Sequence, residues 1–519
     1  LENSTFDFVG GDEGNSITIR GKQSGSVLLR LETIIMVGNN IQRFNYDFVV
    51  RISIWTDEEA PIPIYTAEEF LRYLNGNPDS EGNTDSGDYI LMNDIILDSY
   101  VPQSTQYFDS LDGNGYTIYL NSFTFDNAST TLNLALFSEV TSNSTIKNVR
   151  VNLYNAGQIT VNIQQYDYIN IAGFTLLNNG IIYNCDVVSF YDVNNSSYRV
   201  GGNNGIVVSF VRGNGGQAVD LTSGDIRPEN INIAGFALDN NSIITNSRVG
   251  GETYKYIREE FDERYYDEMS LSLFTIQGQG YVSGFVGENS GTISASFASN
   301  MAISNSMQTT LSETAGFVLE NLGTIHTSYV RGQYSPADDD EYYYDGSTIS
   351  TTGNVGGFSY YNNGTIKNSY VNFAIEIEQS RSYMSAGFVY RNGSEGIVTH
   401  CYAQVKMSSS SINDMSFSGV TEGGVSLNEN DDGISYCYYF SDERDIDIQG
   451  EYEGIGAYAI STVDDESVYY RFSFASEQNA VDGIWTMLGE GRGITLASAD
   501  HIAFSNRYIV YDEENEEEY

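Results

Sequence analysis

A phrase of about sixteen residues that recurs along the chain constrains the fold more than any other feature. It reads AGFTLLNNGIIYNCDV from Ala172, AGFALDNNSIITNSRV from Ala234, SGFVGENSGTISASFA from Ser283, AGFVLENLGTIHTSYV from Ala315, GGFSYYNNGTIKNSYV from Gly356 and AGFVYRNGSEGIVTHCYA from Ala386. A degenerate copy, SGVTEGGVSLNENDDGISYCYY, follows from Ser418, and a shortened forerunner, ALFSEVTSNSTIKNVRV, begins at Ala135. Registered on their glycines, the copies align in columns. Gly173, Gly235, Gly284, Gly316, Gly357 and Gly387 are each followed by Phe174, Phe236, Phe285, Phe317, Phe358 and Phe388. Five positions after the glycine stand Asn178, Asn240, Asn289, Asn321, Asn362 and Asn392; two further on stand Gly180, Ser242, Gly291, Gly323, Gly364 and Ser394. Nine after the glycine come Ile182, Ile244, Ile293, Ile325 and Ile366, with Val398 in that place after a two-residue insertion.

Each column has a physical reading. The glycine permits close backbone approach or a positive φ, and the phenylalanine gives a large apolar side chain to a core. Asn-x-Gly or Asn-x-Ser is turn chemistry, because asparagine tolerates the left-handed region and bonds its own backbone. The segment from Ile325 to Val330 alternates like a strand. Glycine spacings of 62, 49, 32, 41, 30 and 32 residues set a constant phrase among variable connections. One unit cannot bury its own phenylalanine, so units must stack, pairing strands at about 4.8 Å and sending the variable lengths outside as loops.

Two further columns follow. Asn148, Asn184, Asn246, Ala295, Thr327, Asn368, His400 and Tyr436 are mostly polar and predict an asparagine ladder along the stack. The next position holds Cys185, Ser247, Ser296, Ser328, Ser369, Cys401 and Cys437, so all 3 cysteines fall in one small-residue column. Free, buried thiols are expected there rather than a disulfide framework, a metal site or a nucleophile.

These phrases resemble the GLUG-type repeats of bacterial surface proteins. The resemblance starts at the segment Ile64 to Phe70, continues through Asp88 to Asp94 and the Asp-Gly-Asn-Gly turn after Leu111, and ends around Gly483-Ile484-Trp485 and Gly489 to Leu496. It covers about residues 60 to 505 and implies a right-handed parallel β-helix, secretion, and roles in surface display or adhesion. Phenylalanine in place of the usual leucine or valine, and acidic insertions at Tyr254 to Met269 and Ser335 to Thr348, depart from the family pattern.

The expected organisation is a partial immunoglobulin-like β-module or set of assembly strands at 1–57, the repeat solenoid at 58–439, closing coils and a cap at 440–511, and an acidic tail at 512–519. The first region carries alternating runs at Ser16 to Arg20, Val27 to Leu31 and Phe48 to Ile54, too few for a complete sandwich. The linker Thr56 to Pro63 marks its boundary, and Asp512 to Glu518 reads as a disordered charge run. The start at Leu1, without an initiator methionine, reads as a processed product.

Charge narrows the partners. With 70 acidic and 24 basic residues the net charge is −46, which disfavours nucleic acid and anionic membranes. No run of about 18 apolar residues suggests membrane insertion. Eight sequons, at Asn3, Asn127, Asn143, Asn194, Asn195, Asn240, Asn363 and Asn392, are unremarkable in so Asn-, Ser- and Thr-rich a chain.

No catalytic, cofactor-binding or metal-ligating residue is assigned. His326, His400 and His501 form no H-E-x-x-H. Asp109 and Asp112 adjoin a structural turn, and Asp338, Asp339, Asp340 and Glu341 form a loop charge run at which calcium is the one cation to weigh. The reading is an all-β, non-catalytic, extracellular structural or adhesive protein, a surface stalk or filament subunit. Its expected partners are its own ends or amino-terminal strands and a carbohydrate or other surface ligand. A virion fibre or spike is the second reading. A carbohydrate-active lyase or hydrolase is the third, and a groove lined by clustered acids and aromatics on one face would favour it.

Overall fold

The computed structural model describes residues 6–10, 18–21, 25–37, 40–52, 61–75, 87–102, 108–124, 129–153, 156–189, 204–212, 221, 228–251, 253–260, 263–270, 273–306, 312–332, 334–336, 342–344, 348–377, 385–408, 417–419, 426–440, 457–460, 466–469, 471–474, 484–487 and 494–496. The chain divides into two units between Ile62 and Pro63, within the proline-bearing linker. In the first unit, Phe6–Gly10 pairs antiparallel with Thr18–Gly21, and Gly25–Val37 pairs antiparallel with Asn40–Ile52.

The second unit is a parallel β-solenoid. One coil shows the plan: strands Glu313–Ala315, Val318–Asn321, Thr324–His326, Tyr329–Arg331 and Thr348–Thr351 follow one another, and Asn354–Gly356 opens the next coil directly over Glu313–Ala315. The repetition builds a first and a second sheet of 7 strands each, a third of 11 and a fourth of 16, the last taking two strand segments from a coil. Helix α1 (Ala67–Leu74) precedes the coils and packs near Ile95–Leu97, burying Phe70 and Leu74. Its start is fixed by a capping box, in which Glu69 N–H donates to Thr66 Oγ1 at 3.2 Å and Thr66 N–H donates to Glu69 Oε2 at 3.1 Å.

The predicted phenylalanine column is present and longer than expected. Phe174, Phe236, Phe285, Phe317, Phe358 and Phe388 are all fully buried, and successive rings stack at 4.8, 4.9, 4.7, 4.8 and 4.8 Å. Phe137 adds an edge-on ring before the stack, and Phe417 adds a parallel one after it. The isoleucine column is likewise buried from Ile146 to Val398, in register across the third sheet. The preceding glycines serve close approach: a methyl group on Gly316 would overlap the carbonyl oxygen of Gly357 in the next coil, and the same holds from Gly173 through Gly357.

The two polar columns divide their roles differently from expectation: the Asn-x-Gly column keeps its bonds to its own backbone, Gly180 N–H donating to Asn178 Oδ1 at 3.2 Å, and also carries the ladder expected of the other. The asparagines five residues after each glycine are fully buried and form the long ladder. Asn178, Asn240, Asn289, Asn321 and Asn362 each donate Nδ2 to the Oδ1 of the next asparagine at 2.7 Å, and Asn392 does so to Asn428 at 2.8 Å. The column expected to be the ladder is instead the left-handed corner of every coil, with φ between 46° and 56° from Asn148 through Ala295 and Thr327 to Tyr436. Amide bonding there is confined to Asn246, Asn184, Asn148 and Asp112, and stops at Ala295, which has no amide. The corner needs a backbone conformation that asparagine tolerates best. His400 keeps that φ and bonds Thr399 Oγ1 at 2.9 Å.

In the small-residue column, Ser247, Ser296, Ser328 and Ser369 are buried, and each Oγ donates to the carbonyl two residues before it while accepting the N–H of the preceding coil's equivalent residue. Cys185, Cys401 and Cys437 occupy the same place as buried free thiols, each sulfur 3.3 to 3.4 Å from the carbonyl oxygen two residues back. Two sequons are also explained: Asn240 and Asn392 lie inside the ladder, closed to glycosylation. Asn3, Asn127, Asn194 and Asn195 lie outside the described residues.

The connections vary mainly after the first segment of the fourth sheet. The two acidic insertions fold back there as antiparallel hairpins, Thr253–Glu260 with Glu263–Ser270 and Tyr334–Pro336 with Tyr342–Tyr344. Along the same sheet one register column runs Arg150, Asp186, Arg248, Phe297, Tyr329, Tyr370, Tyr402 and Tyr438. Both arginines lie against the buried Asp186, at 3.1 and 3.2 Å, although Arg248 Nε is not aligned as a hydrogen bond. Carboxy-terminal residues cover the aromatic part: Tyr469 meets Tyr402 edge-on, Phe472 stacks on Trp485 at 4.8 Å, and Trp485 reaches Tyr370. Trp485 thus belongs to a second core packed with the aromatic column of the fourth sheet, while Ala457–Ile460 extends that sheet. The acidic tail lies outside the described residues.

Truncating Phe317 to alanine should cost roughly 3–5 kcal/mol by opening a cavity in a continuous stack. Asn321→Ala should cost about 1–3 kcal/mol for each ladder group left unmet, the Asn289 donor and the Asn362 acceptor. Urea midpoints of the two variants against the parent check both. The three thiols should resist a soluble thiol reagent in the native protein and react fully after denaturation, since burial pushes the Cys185 and Cys401 thiols far above their ordinary range.

Candidate functional site

The first and second sheets meet at the small residue before each glycine: Ala172, Ala234, Ser283, Ala315, Gly356 and Ala386. Ala172 and Ala234 pack there against Leu176 and Leu238, and a groove of 560 Å³ runs along the two sheets across five coils. One wall is the first-sheet column Asn133, Asn170, Asn232, Tyr281 and Glu313, in strict register. The facing wall is a second-sheet column in which Leu177, Asp239, Glu288 and Glu320 are successive partners. Between them Leu176, Leu238 and Leu319 line the floor, and Gly287 interrupts that row without a side chain.

Character changes along the groove. At one end the wall is an amide ladder, Asn232 donating to Asn170 at 3.1 Å and Asn170 to Asn133 at 2.9 Å. At the other end it is acidic and phenolic. Glu313 accepts hydrogen bonds from the hydroxyls of Tyr281 and Tyr360, and Tyr360 stacks on Tyr390 at 5.1 Å.

Burial governs the protonation of this end. Loss of water pushes the Glu313 carboxyl up to about 7, against the two phenol hydrogen bonds, and neighbouring Glu320 and Glu229 push the same way. Glu320 is raised by burial and then by Glu288. Asp239 rises to about 6 from the same two causes, although its side chain is the more open, so protonation of the groove turns chiefly on Glu313. Tyr281 is pushed up to about 12 by burial and by Glu313, and so stays a phenol at neutral pH.

The residues weighed in the sequence lie elsewhere. Asp112 holds its turn, accepting from Asn114 N–H at 2.8 Å and Asn148 Nδ2 at 2.9 Å, with Lys147 Nζ at 3.3 Å, and Asp109 is exposed on the same strand. Asp338, Asp339, Asp340, Glu341 and His501 lie outside the described residues. Among the described residues no cluster of three or more His, Cys, Asp or Glu is placed to hold a metal ion, and no helix is long and apolar enough to cross a membrane. The groove residues carried a signal in the sequence that the column reading passed over: they sit three before and four after each glycine. Asp239, Glu288 and Glu320 each immediately precede a ladder asparagine.

No protein-family model matches the chain, and no curated protein matches it. The likeness to GLUG-type repeats therefore rests on the order and spacing of its own phrases.

Because Glu313 binds its proton more tightly in the folded protein than in the unfolded chain, its contribution is destabilising wherever it must ionise. Stability should fall as pH rises from about 4.5, the ordinary carboxyl value, to about 7, the folded one. In Glu313→Gln that decline should be reduced. Melting temperatures from pH 4 to pH 8 for the two proteins check the sign.

Proposed function

We propose that this chain is a non-catalytic extracellular protein of the GLUG-repeat type, a surface stalk or filament subunit whose solenoid presents the groove as its contact face. The observation that carries the reading is the contrast between inside and outside. The interior columns repeat phenylalanine, isoleucine, asparagine and serine through the stack, whereas the groove walls change character along it, from Asn133, Asn170 and Asn232 to Tyr281 and Glu313 on one side and from Leu177 to Asp239, Glu288 and Glu320 on the other. Interior constancy maintains a rod; variation along one concave face is what a contact surface requires. The net charge of −46 opposes lateral clumping, and association through the chain ends or amino-terminal strands belongs to the same reading.

Of the alternatives, the carbohydrate-active enzyme is the one that a particular residue, Glu313, favours. Glycoside hydrolysis uses one carboxyl that keeps its proton near neutrality and a second that is ionised, and the groove sets Glu313 opposite a column containing Glu288 and Glu320. Two measurements separate the readings. Immunogold labelling of intact source material should mark the outer surface, and the purified chain should release no reducing ends from neutral polysaccharides. Labelling confined to the interior would overturn the display reading. Reducing-end release that disappears in Glu313→Gln would replace it with the enzyme.

A further inference from the structure

We infer that the groove between the first and second sheets binds a neutral polysaccharide chain lying along the solenoid axis; the assignment rests on the groove being the contact face. Its shape sets the ligand's form. From Asn133 to Glu313 the wall crosses five coils, roughly 19 Å at 4.8 Å per step, so the occupant is extended and meets one wall residue per coil at regular intervals.

Its lining sets the ligand's class. Amides at Asn133, Asn170 and Asn232 and the phenol of Tyr281 offer donors and acceptors without charge, and Leu176, Leu238 and Leu319 offer apolar patches between them. Alternating hydroxyls and C–H faces are what such a surface matches. An anionic polymer would meet Asp239, Glu288, Glu313 and Glu320 in a chain of strong negative charge. A cationic one would have to compete at Glu313 with two phenols that already bond its half-buried carboxyl.

The test uses the full chain and isothermal titration with cellohexaose, xylohexaose, mannohexaose and maltohexaose, with hexalysine, polygalacturonate and calcium chloride as alternatives. Two substitutions at the exposed Glu288 separate shape from charge. Glu288→Trp fills the groove and should weaken binding of the preferred neutral hexasaccharide about tenfold or more, while Glu288→Gln should leave it within about threefold. Thermal melting of both variants confirms folding, and Tyr458→Ala, exposed on the fourth sheet, should bind as the parent does. Binding of hexalysine, polygalacturonate or calcium in place of every neutral sugar, or neutral-sugar binding untouched by Glu288→Trp, overturns the inference. So does failure of all four hexasaccharides to bind, and an outer-surface label that survives such a failure leaves the display reading standing.

Discussion

Register is the constraint on which this structure depends. Parallel strands stacked at about 4.8 Å put each residue directly above its counterpart one coil away, so any side chain in the wall must be compatible with a copy of itself. Phenylalanine satisfies this by stacking ring on ring, asparagine by donating one amide hydrogen forward while accepting one behind, and serine by donating to the carbonyl two residues before it while accepting the N–H of its counterpart in the preceding coil. Glycine satisfies it by having no side chain where two backbones nearly touch. A buried charge fits poorly in such an arrangement, because a like charge would lie above it. The described exception on the fourth sheet alternates sign, Arg150, Asp186, Arg248, before that column becomes aromatic.

That constraint also explains which parts of the fold could be read from sequence. The phenylalanine, isoleucine and small-residue columns were legible because side-chain size alone specifies them, and size is visible in a one-letter code. The two asparagine columns were not separable by residue type, since asparagine serves both a left-handed corner and an amide ladder. They differ in what they tolerate. A ladder loses a bond on each side of any replacement, and all six aligned copies keep asparagine there. A corner loses only a conformational preference, and Ala295, Thr327, His400 and Tyr436 all adopt it. Tolerance, rather than mean amide content, was the informative quantity.

The groove was less legible for a different reason. Its concavity depends on the angle between two sheets that no single phrase encodes. Its wall residues vary from coil to coil, so alignment treats them as noise around the constant positions. The expected lateral course of the loops was a simpler matter of length, and the structure places the two acidic hairpins at one corner, after the first segment of the fourth sheet.

The two sides of the wall are consequently under opposite physical demands. An interior position is fixed by its neighbours above and below, so a change in one coil disturbs three. An outward position in the groove contacts its column neighbours only along one edge, and can change alone, as Asp239, Glu288 and Glu320 give way to Tyr361 and then Arg391 in the same register. Arg391 there finds Glu429 and the face of Tyr361 rather than a copy of itself. A stacked fold thereby separates what must be uniform for stability from what is free to differ for recognition, and it places the second kind of residue in a line. A site built this way reads a ligand by position along an axis, one coil at a time, which suits an extended polymer better than a compact molecule.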